Sequence, residues 1–351
     1  MFDADGTLVQ KGKVLIAPVD AKTGVILTSR GIAFATADPV DLTITKNGPE
    51  WGCTSKKCAL YFTSYLPDRS GGRLAKLEEN TDGSWSVRFL PGGEDKMSHI
   101  PSLDPSSSDP PKIYYGNVQG LSETSLDTAV YGWRADERPA VDHVIRRGST
   151  PARWAPGSDD LILMVSVKTR FGLVEKLARF DTGTRTTEIL IEDSKVRQQP
   201  FPWLAPEFDG ELAISTLVHG DAAGHRFIEI LRRGRTGEWE VYREIRSPDP
   251  NYPYLDSPEP IIFRGRSYVS FAAFQAQETD RILPSGSSTI WIASIDGKFV
   301  RKVSVETRAD YVTPKHEPEA LAIRGGTRLV VYYNDGVVGG KRTLKVCQTG
   351  L

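Results

Sequence analysis

Apolar and polar residues alternate along most of this chain, or gather into short apolar runs ended by Gly, Pro, Asp or Ser. Such runs predict strands at Ala59–Tyr65, Lys112–Val118, Leu161–Val167, Glu211–Val218, Ser267–Phe274, Thr289–Ile295 and Arg328–Tyr333. They are rich in Val, Ile, Tyr and Phe, whose side chains suit a pleated, half-buried surface. No stretch of a dozen residues carries a helical stripe, and 32 Gly with 23 Pro supply many tight turns. The expected class is all-β.

A short phrase recurs within this pattern. It reads Gly48-Pro49-Glu50-Trp51, Ile100-Pro101-Ser102-Leu103, Thr150-Pro151-Ala152-Arg153-Trp154, Ala205-Pro206-Glu207-Phe208, Ser257-Pro258-Glu259-Pro260 and Glu317-Pro318-Glu319-Ala320. Its prolines stand at 49, 101, 151, 206, 258 and 318, in steps of 52, 50, 55, 52 and 60 residues. About 50 residues accommodate four short strands, the content of one β-propeller blade. Six prolines imply a single domain of six blades over residues 1–351, with five blades as the alternative because the second copy is degenerate. The last interval lacks one strand, and residues 1–46 hold a surplus at Lys13–Ala17, Val25–Thr28 and Ile32–Thr36. An N-terminal strand is therefore expected to complete the sixth blade and close the ring, which would remove its open edges.

Charge and cysteines narrow the classes. Lys plus Arg is 44 and Asp plus Glu is 45, a formal charge of −1, without the basic excess that phosphate backbones demand. No apolar run reaches bilayer-spanning length. Partners are expected to be small-molecule substrates, with no nucleic acid and no membrane span, and composition leaves the oligomeric state open. Cys53 and Cys58 flank a polar turn that suits either a disulfide or two free thiols, and Cys347 falls in an apolar strand. The first residues show neither a basic region nor an apolar core, so they do not form a signal peptide themselves; the expected setting is secretory with a leader already removed, with cytoplasmic as the alternative. Phe2-Asp3-Ala4-Asp5-Gly6 matches the nucleophile motif of haloacid dehalogenase-type phosphatases, but no buried strand precedes it and no alternating helices follow.

The first strand of a propeller blade lines the central channel, so the residue after each proline is expected near one mouth. This places Glu50, Glu207, Glu259 and Glu319 around an axis, with Arg153 as counter-charge. Like charges so close require a bound cation, pairing that splits their pKa values into acid and base, or sideways hydrogen bonds that staple the blades. No cofactor is expected beyond such a structural cation. Aromatic residues crowd the same positions. Trp51, Trp154, Trp203, Phe208, Tyr252 and Tyr254 are candidate pocket walls, with core packing as the alternative for Trp51 and Trp154. His99 and His316 lie within three residues of a motif proline and are candidates for binding or proton transfer.

The phrases Asn47–Gly52, Ser149–Trp154, Ser257–Gly265 and Glu317–Ala320, with Val331–Asp335, resemble two groups of propellers. One is the five-bladed glycoside hydrolases, whose Gly-x-x-Tyr turn is matched by Gly265-Arg266-Ser267-Tyr268, and for which Asp38 is a candidate first carboxylate. The other is the fungal secondary-metabolite-cluster propellers that include hetero-Diels–Alderases, which join a tropolone-derived quinone methide to a terpenoid alkene. The second resemblance implies a pericyclase that holds two apolar reactants in an aromatic pocket and assists with a carboxylate or His316. The first implies a glycan hydrolase or lyase using two of the four glutamates. A non-catalytic ligand-binding propeller is the third reading.

Overall fold

The computed structural model describes residues 13–16, 20–25, 27, 32–35, 43–44, 50–53, 58–65, 72–89, 98–103, 112–117, 128–134, 140–145, 148–158, 160–169, 172–220, 224–278, 283–304, 316–338 and 341–351. Asp3, Asp5, Asp38 and Pro49 lie outside this set, and so do the side chains of Glu50, Trp51, His99 and His316. The chain is all-β, and it separates into two compact units: Met1–Pro18 with Leu27–Ile189, and Val19–Ile26 with Leu190–Leu351.

In the first unit β1 (Lys13–Ile16) pairs with β2 (Ile32–Ala35). Next, β3 (Thr43–Ile44) and β4 (Glu50–Cys53) both pair with β5 (Cys58–Tyr65), followed by β6 (Gly72–Glu79) and β7 (Trp85–Phe89). Strands β8 (Ser98–Leu103), β9 (Lys112–Asn117), β10 (Thr128–Arg134) and β11 (Ala140–Ile145) form one four-stranded meander. Strands β12 (Gly148–Trp154), β13 (Asp160–Thr169), β14 (Gly172–Asp181) and β15 (Thr186–Ile189) form another. Cys53 and Cys58 are register partners at the end of the β4–β5 pair.

The second unit holds β16 (Val196–Ala205), β17 (Glu211–His219), β18 (Arg226–Arg233) and β19 (Trp239–Ile245), then β20 (Tyr254–Phe263), β21 (Arg266–Glu278), β22 (Leu283–Ser294) and β23 (Val300–Lys302). These two meanders merge into one eight-stranded sheet through a single parallel pairing, Arg226 with Tyr254. The last sheet is β24 (His316–Ile323), β25 (Arg328–Val338) and β26 (Lys341–Gln348). Arg264 and Gly265, at φ 50° and 71°, make the two-residue left-handed turn whose twist matches its flanking strands β20 and β21.

Alternation along the central strands of the second unit buries both faces. Odd-numbered residues of β17 and β21 (Ala213, Leu217, Val269, Phe271, Ala273) meet Trp203, Ile228 and Ile230 in one core between the β16–β19 and β20–β23 meanders. Phe274, Ala272 and Ile290 on the other face meet Val331, Tyr333 and Cys347 of the last sheet. Phe271 and Val331 are both fully buried, each of order 1.5–3 kcal/mol relative to exposure. Cys347 packs there as a small hydrophobe, its sulfur 3.7 Å from the Tyr333 hydroxyl.

The outer face of the last sheet (Ile323, Val330, Tyr332) meets Asp20–Val25. Ala21 O accepts from Arg324 N at 2.8 Å, Lys22 O from Arg324 Nε at 2.6 Å, and Gly24 O from the Tyr332 hydroxyl at 2.6 Å. This N-terminal piece is a turn organised by Asp20, whose Oδ1 accepts from Lys22 N, Thr23 N and Thr23 Oγ1, bonds that hold its carboxyl below the usual carboxylate range. Among the described residues, the N-terminal segment reaches the last sheet as the Asp20–Val25 turn, and none of them pairs with it as a strand. Of the expected closing strands, β1 and β2 pair with each other.

Candidate functional site

A proline sits at a register break in the first strand of five meanders. The shifts fall between His99 and Ser102, Ser149 and Arg153, Gln198 and Phe201, Asp256 and Glu259, and His316 and Glu319. The enclosed prolines are Pro101, Pro151, Pro200, Pro258 and Pro318. A proline cannot donate to a ladder, so it is tolerated where a bulge leaves a residue unpaired. Gln199 and Ser257, which precede Pro200 and Pro258, both take the left-handed backbone at φ 50°.

This corrects the expected repeat at its fourth copy. Pro206 lies beyond the first strand, in a 3-10 turn of Pro206–Phe208 between β16 and β17. Glu207 is therefore no rung residue. Its Oε1 accepts from Ser267 N at 2.6 Å and its Oε2 from Ser267 Oγ at 2.7 Å, and Trp203 Nε1 donates to the same Oγ at 3.0 Å. Glu207 staples the turn of one meander to the hairpin of the next, at the end of the strands away from the bulges. Glu259 and Glu319 stand one residue past a bulge proline, on β20 and β24, which lie side by side. Glu259 is half-buried and Glu319 exposed. Glu50 pairs in register with Tyr61, and half-buried Arg153 with Ile162.

Several candidate aromatics belong to cores. Trp203 and Phe208 pack between the β16–β19 and β20–β23 meanders, and Trp154 packs with Leu161, Leu163 and Phe180. Phe208 also meets the edge of Tyr242 at 4.9 Å. Tyr252 leans on the same core as Trp203. Tyr254 is half-buried and meets His225 edge-to-face at 5.9 Å.

The bulges of β16 and β20 bring together polar side chains that the repeat phrase did not single out. Asp256 Oδ1 accepts from Gln199 Nε2 at 3.2 Å and from Arg226 Nη2 at 3.3 Å. Gln199 Oε1 accepts from Ser257 N at 3.2 Å, so one side chain ties both bulges. Thr216 Oγ1 donates to Gln198 O at 2.9 Å. His219 and Arg226 are register partners at the end of β17–β18 and face the same side. His219 Nε2 lies 2.8 Å from Gln198 Oε1, so Nε2 carries the proton and Nδ1, buried and without a hydrogen-bond partner, presents its lone pair. Burial, reinforced by the Arg226 charge, pushes His219 down to about 4, and the ring is neutral at pH 7. Burial likewise lowers Arg226, against the pull of Asp256. His225, just before β18, and Tyr254, at the start of β20, meet at this end, so their rings lie beside the polar junction.

A second charged group uses the opposite face of β16. Arg197, 1% exposed, donates through Nε to Glu229 Oε2 at 2.8 Å and through Nη1 and Nη2 to both Asp193 oxygens at 2.7 Å. Lys195 joins Glu229 to Glu244, with 3.1 Å to the latter. Glu229 has no exposed surface, whereas Lys195, Asp193 and Glu244 reach solvent, so the network ties the buried Arg197–Glu229 pair to the rim of the sheet. Among the described residues no three His, Cys, Asp or Glu side chains cluster as a metal site would require, and no helix is long and apolar enough to cross a membrane.

No protein-family model matches the chain, and no curated protein does. Solved structures do. A Trypanosoma rangeli sialidase mutant displaying trans-sialidase activity superposes with a TM-score of 0.51 at 11% identity, over 97% of this chain and 57% of its own. Its neighbours are β-propeller proteins. The β-propeller domain of the Trilobed protease from Pyrococcus furiosus, described as having an open velcro topology, aligns at 14% identity over 87% of this chain and 80% of its own, with a TM-score of 0.46. A thermostable family-43 glycoside hydrolase aligns at 14% identity over 87% and 89%, with a TM-score of 0.40. The likeness is one of fold.

Proposed function

We propose that the chain is a six-bladed propeller enzyme that acts on a glycan at the junction of Gln199, His219, Arg226 and Asp256. The observation that carries this reading is the Asp256 carboxylate, held between the Arg226 guanidinium and the Gln199 amide where two first strands bulge. Planar groups with paired donors and acceptors match vicinal sugar hydroxyls, and the neighbouring Tyr254 and His225 rings offer apolar faces to sugar C–H groups. Asp256 serves as base or nucleophile, and Glu259 or Glu319, past the bulge prolines, as the second carboxylate that glycoside cleavage needs. Glu207 does not, because Ser267 occupies both of its oxygens. The cyclase reading asks for a dry, apolar cavity with one or two polar groups, and the density of polar groups at this junction favours the glycan.

The test is release of the aglycone from a panel of aryl glycosides and of reducing ends from polysaccharides. Turnover of at least one substrate is expected, falling about 10²–10⁴-fold in Asp256→Asn and little in Glu207→Gln. Full activity in Asp256→Asn, or no cleavage across the panel, overturns the proposal.

A further inference from the structure

At the end of the strands opposite the bulges, a cavity of about 350 Å³ opens between the β20–β21 turn, the β24–β25 turn and the residues following β26. Arg264, Thr327, Arg328, Gln348 and Gly350 line it over the buried Leu329. The two lining guanidiniums are held by neutral acceptors. Arg264 Nη2 donates to Thr327 O at 2.5 Å and stacks 5.0 Å from the Phe263 ring centroid, while Arg328 Nη1 reaches Gln348 Oε1 at 3.3 Å. A third, Arg301, lies against Gly350, in the space a Cβ there would need, and Gly350 is itself at φ 80°. Position 350 therefore requires glycine on two counts, and the wall stays open to the Arg301 guanidinium.

None of these three arginines has a carboxylate within ion-pairing distance among the described residues. Elsewhere in the unit Arg197, Arg226, Arg232 and Arg246 are ion-paired, whereas Arg233, Arg243 and Arg324 also donate to backbone carbonyls but do not line this concavity. A neutral acceptor fixes a guanidinium without cancelling its charge and leaves most of its five donors unused. Two such groups on the wall of one concavity, Arg264 and Arg328, with the Arg301 guanidinium beside Gly350, favour a compact anion with several acceptor oxygens.

We propose that this groove binds a tetrahedral oxyanion, sulfate or phosphate, free or as an ester on a saccharide. The site is separate from the Asp256 junction and does not depend on the activity proposed there.

The test is calorimetric titration of the whole chain with sodium sulfate and sodium phosphate, against sodium chloride at equal ionic strength. Saturable binding is expected for the oxyanions and not for chloride. Arg264→Gln and Arg328→Gln should each weaken it about tenfold or more, since each removes charge-assisted hydrogen bonds. Arg266→Gln removes the same charge from the same hairpin outside the groove and should leave affinity unchanged. A second arm compares a sulfated oligosaccharide with its unsulfated parent: a preference beyond inorganic sulfate identifies the ester as ligand, and equal or weaker binding identifies the free ion. Heat signals that chloride reproduces, or that Arg266→Gln diminishes as much as Arg264→Gln, overturn the proposal, because a general surface field would then account for them. Circular dichroism melts of each variant separate loss of binding from loss of fold.

Discussion

His219 makes the stability of the second unit depend on pH in a calculable way. Its imidazole is neutral in the folded chain, with a pKa of about 4, against 6.5 for a free imidazole. A base whose folded pKa is depressed is preferentially protonated in the unfolded chain. Its contribution is therefore complete above the unfolded pKa and is lost as pH falls from about 6.5 towards 4. Linkage between these values gives a loss of about 2 kcal/mol on going from pH 7.5 to pH 5. His219→Gln retains a polar group beside Gln198 and cannot be charged. Urea unfolding followed by tryptophan fluorescence, at both pH values and for both proteins, isolates the contribution, because the other titrating groups cancel in the double difference. The wild type should lose about 2 kcal/mol more than the variant. Equal losses, or a larger loss in the variant, would refute a buried neutral imidazole at this position.

Other perturbations test the surrounding framework. Glu207→Gln should cost about 1–3 kcal/mol, measured by urea unfolding, since it weakens two charge-assisted bonds to Ser267 that span two meanders. Glu229→Ala leaves the buried Arg197 with Asp193 alone and should cost about 3–5 kcal/mol, whereas the exposed Arg232–Glu240 pair should contribute less than about 1 kcal/mol in a double-mutant cycle. The facing positions of Cys53 and Cys58 predict a linked peptide, lighter by two hydrogens, in a non-reduced digest of oxidised protein, with no change in mass on reduction if the thiols are free.

Much of the architecture was legible because strands that bury alternate faces write a period of two into the sequence. The recurring proline was legible too, but its fourth copy was not. Ala205-Pro206-Glu207-Phe208 resembles Ser257-Pro258-Glu259-Pro260 more closely than the true member, Gln199-Pro200-Phe201, does. A bulge constrains backbone geometry, and proline can satisfy it with any neighbour after it, so the residue following the proline was a poor guide. The residue two before it is more informative: His99, Ser149, Gln198, Asp256 and His316 are all polar and all stand at the last pairing before the break. His99 and His316, candidates by their distance from a motif proline, both occupy this recurring position. His219 and Arg226 escaped for another reason. They meet through the register of β17 against β18, which the joining loop sets and local alternation does not reveal. Trp203, a candidate pocket wall by its nearness to the repeat phrase, is part of β16 and points into a core.

The clasp of Asp20–Val25 on the last sheet imposes an order on biosynthesis. Gly24 O and the Tyr332 hydroxyl that it accepts from are separated by 308 positions. At the usual pace of elongation, roughly 5–20 residues per second, the leading segment waits about 15–60 s for its binding surface to emerge from the ribosome. Until then Ile323 and Val330 have not been translated, and the early meanders must persist without that contact. Loop closure over such a span is slow and entropically costly, so docking of this segment belongs among the final events of maturation.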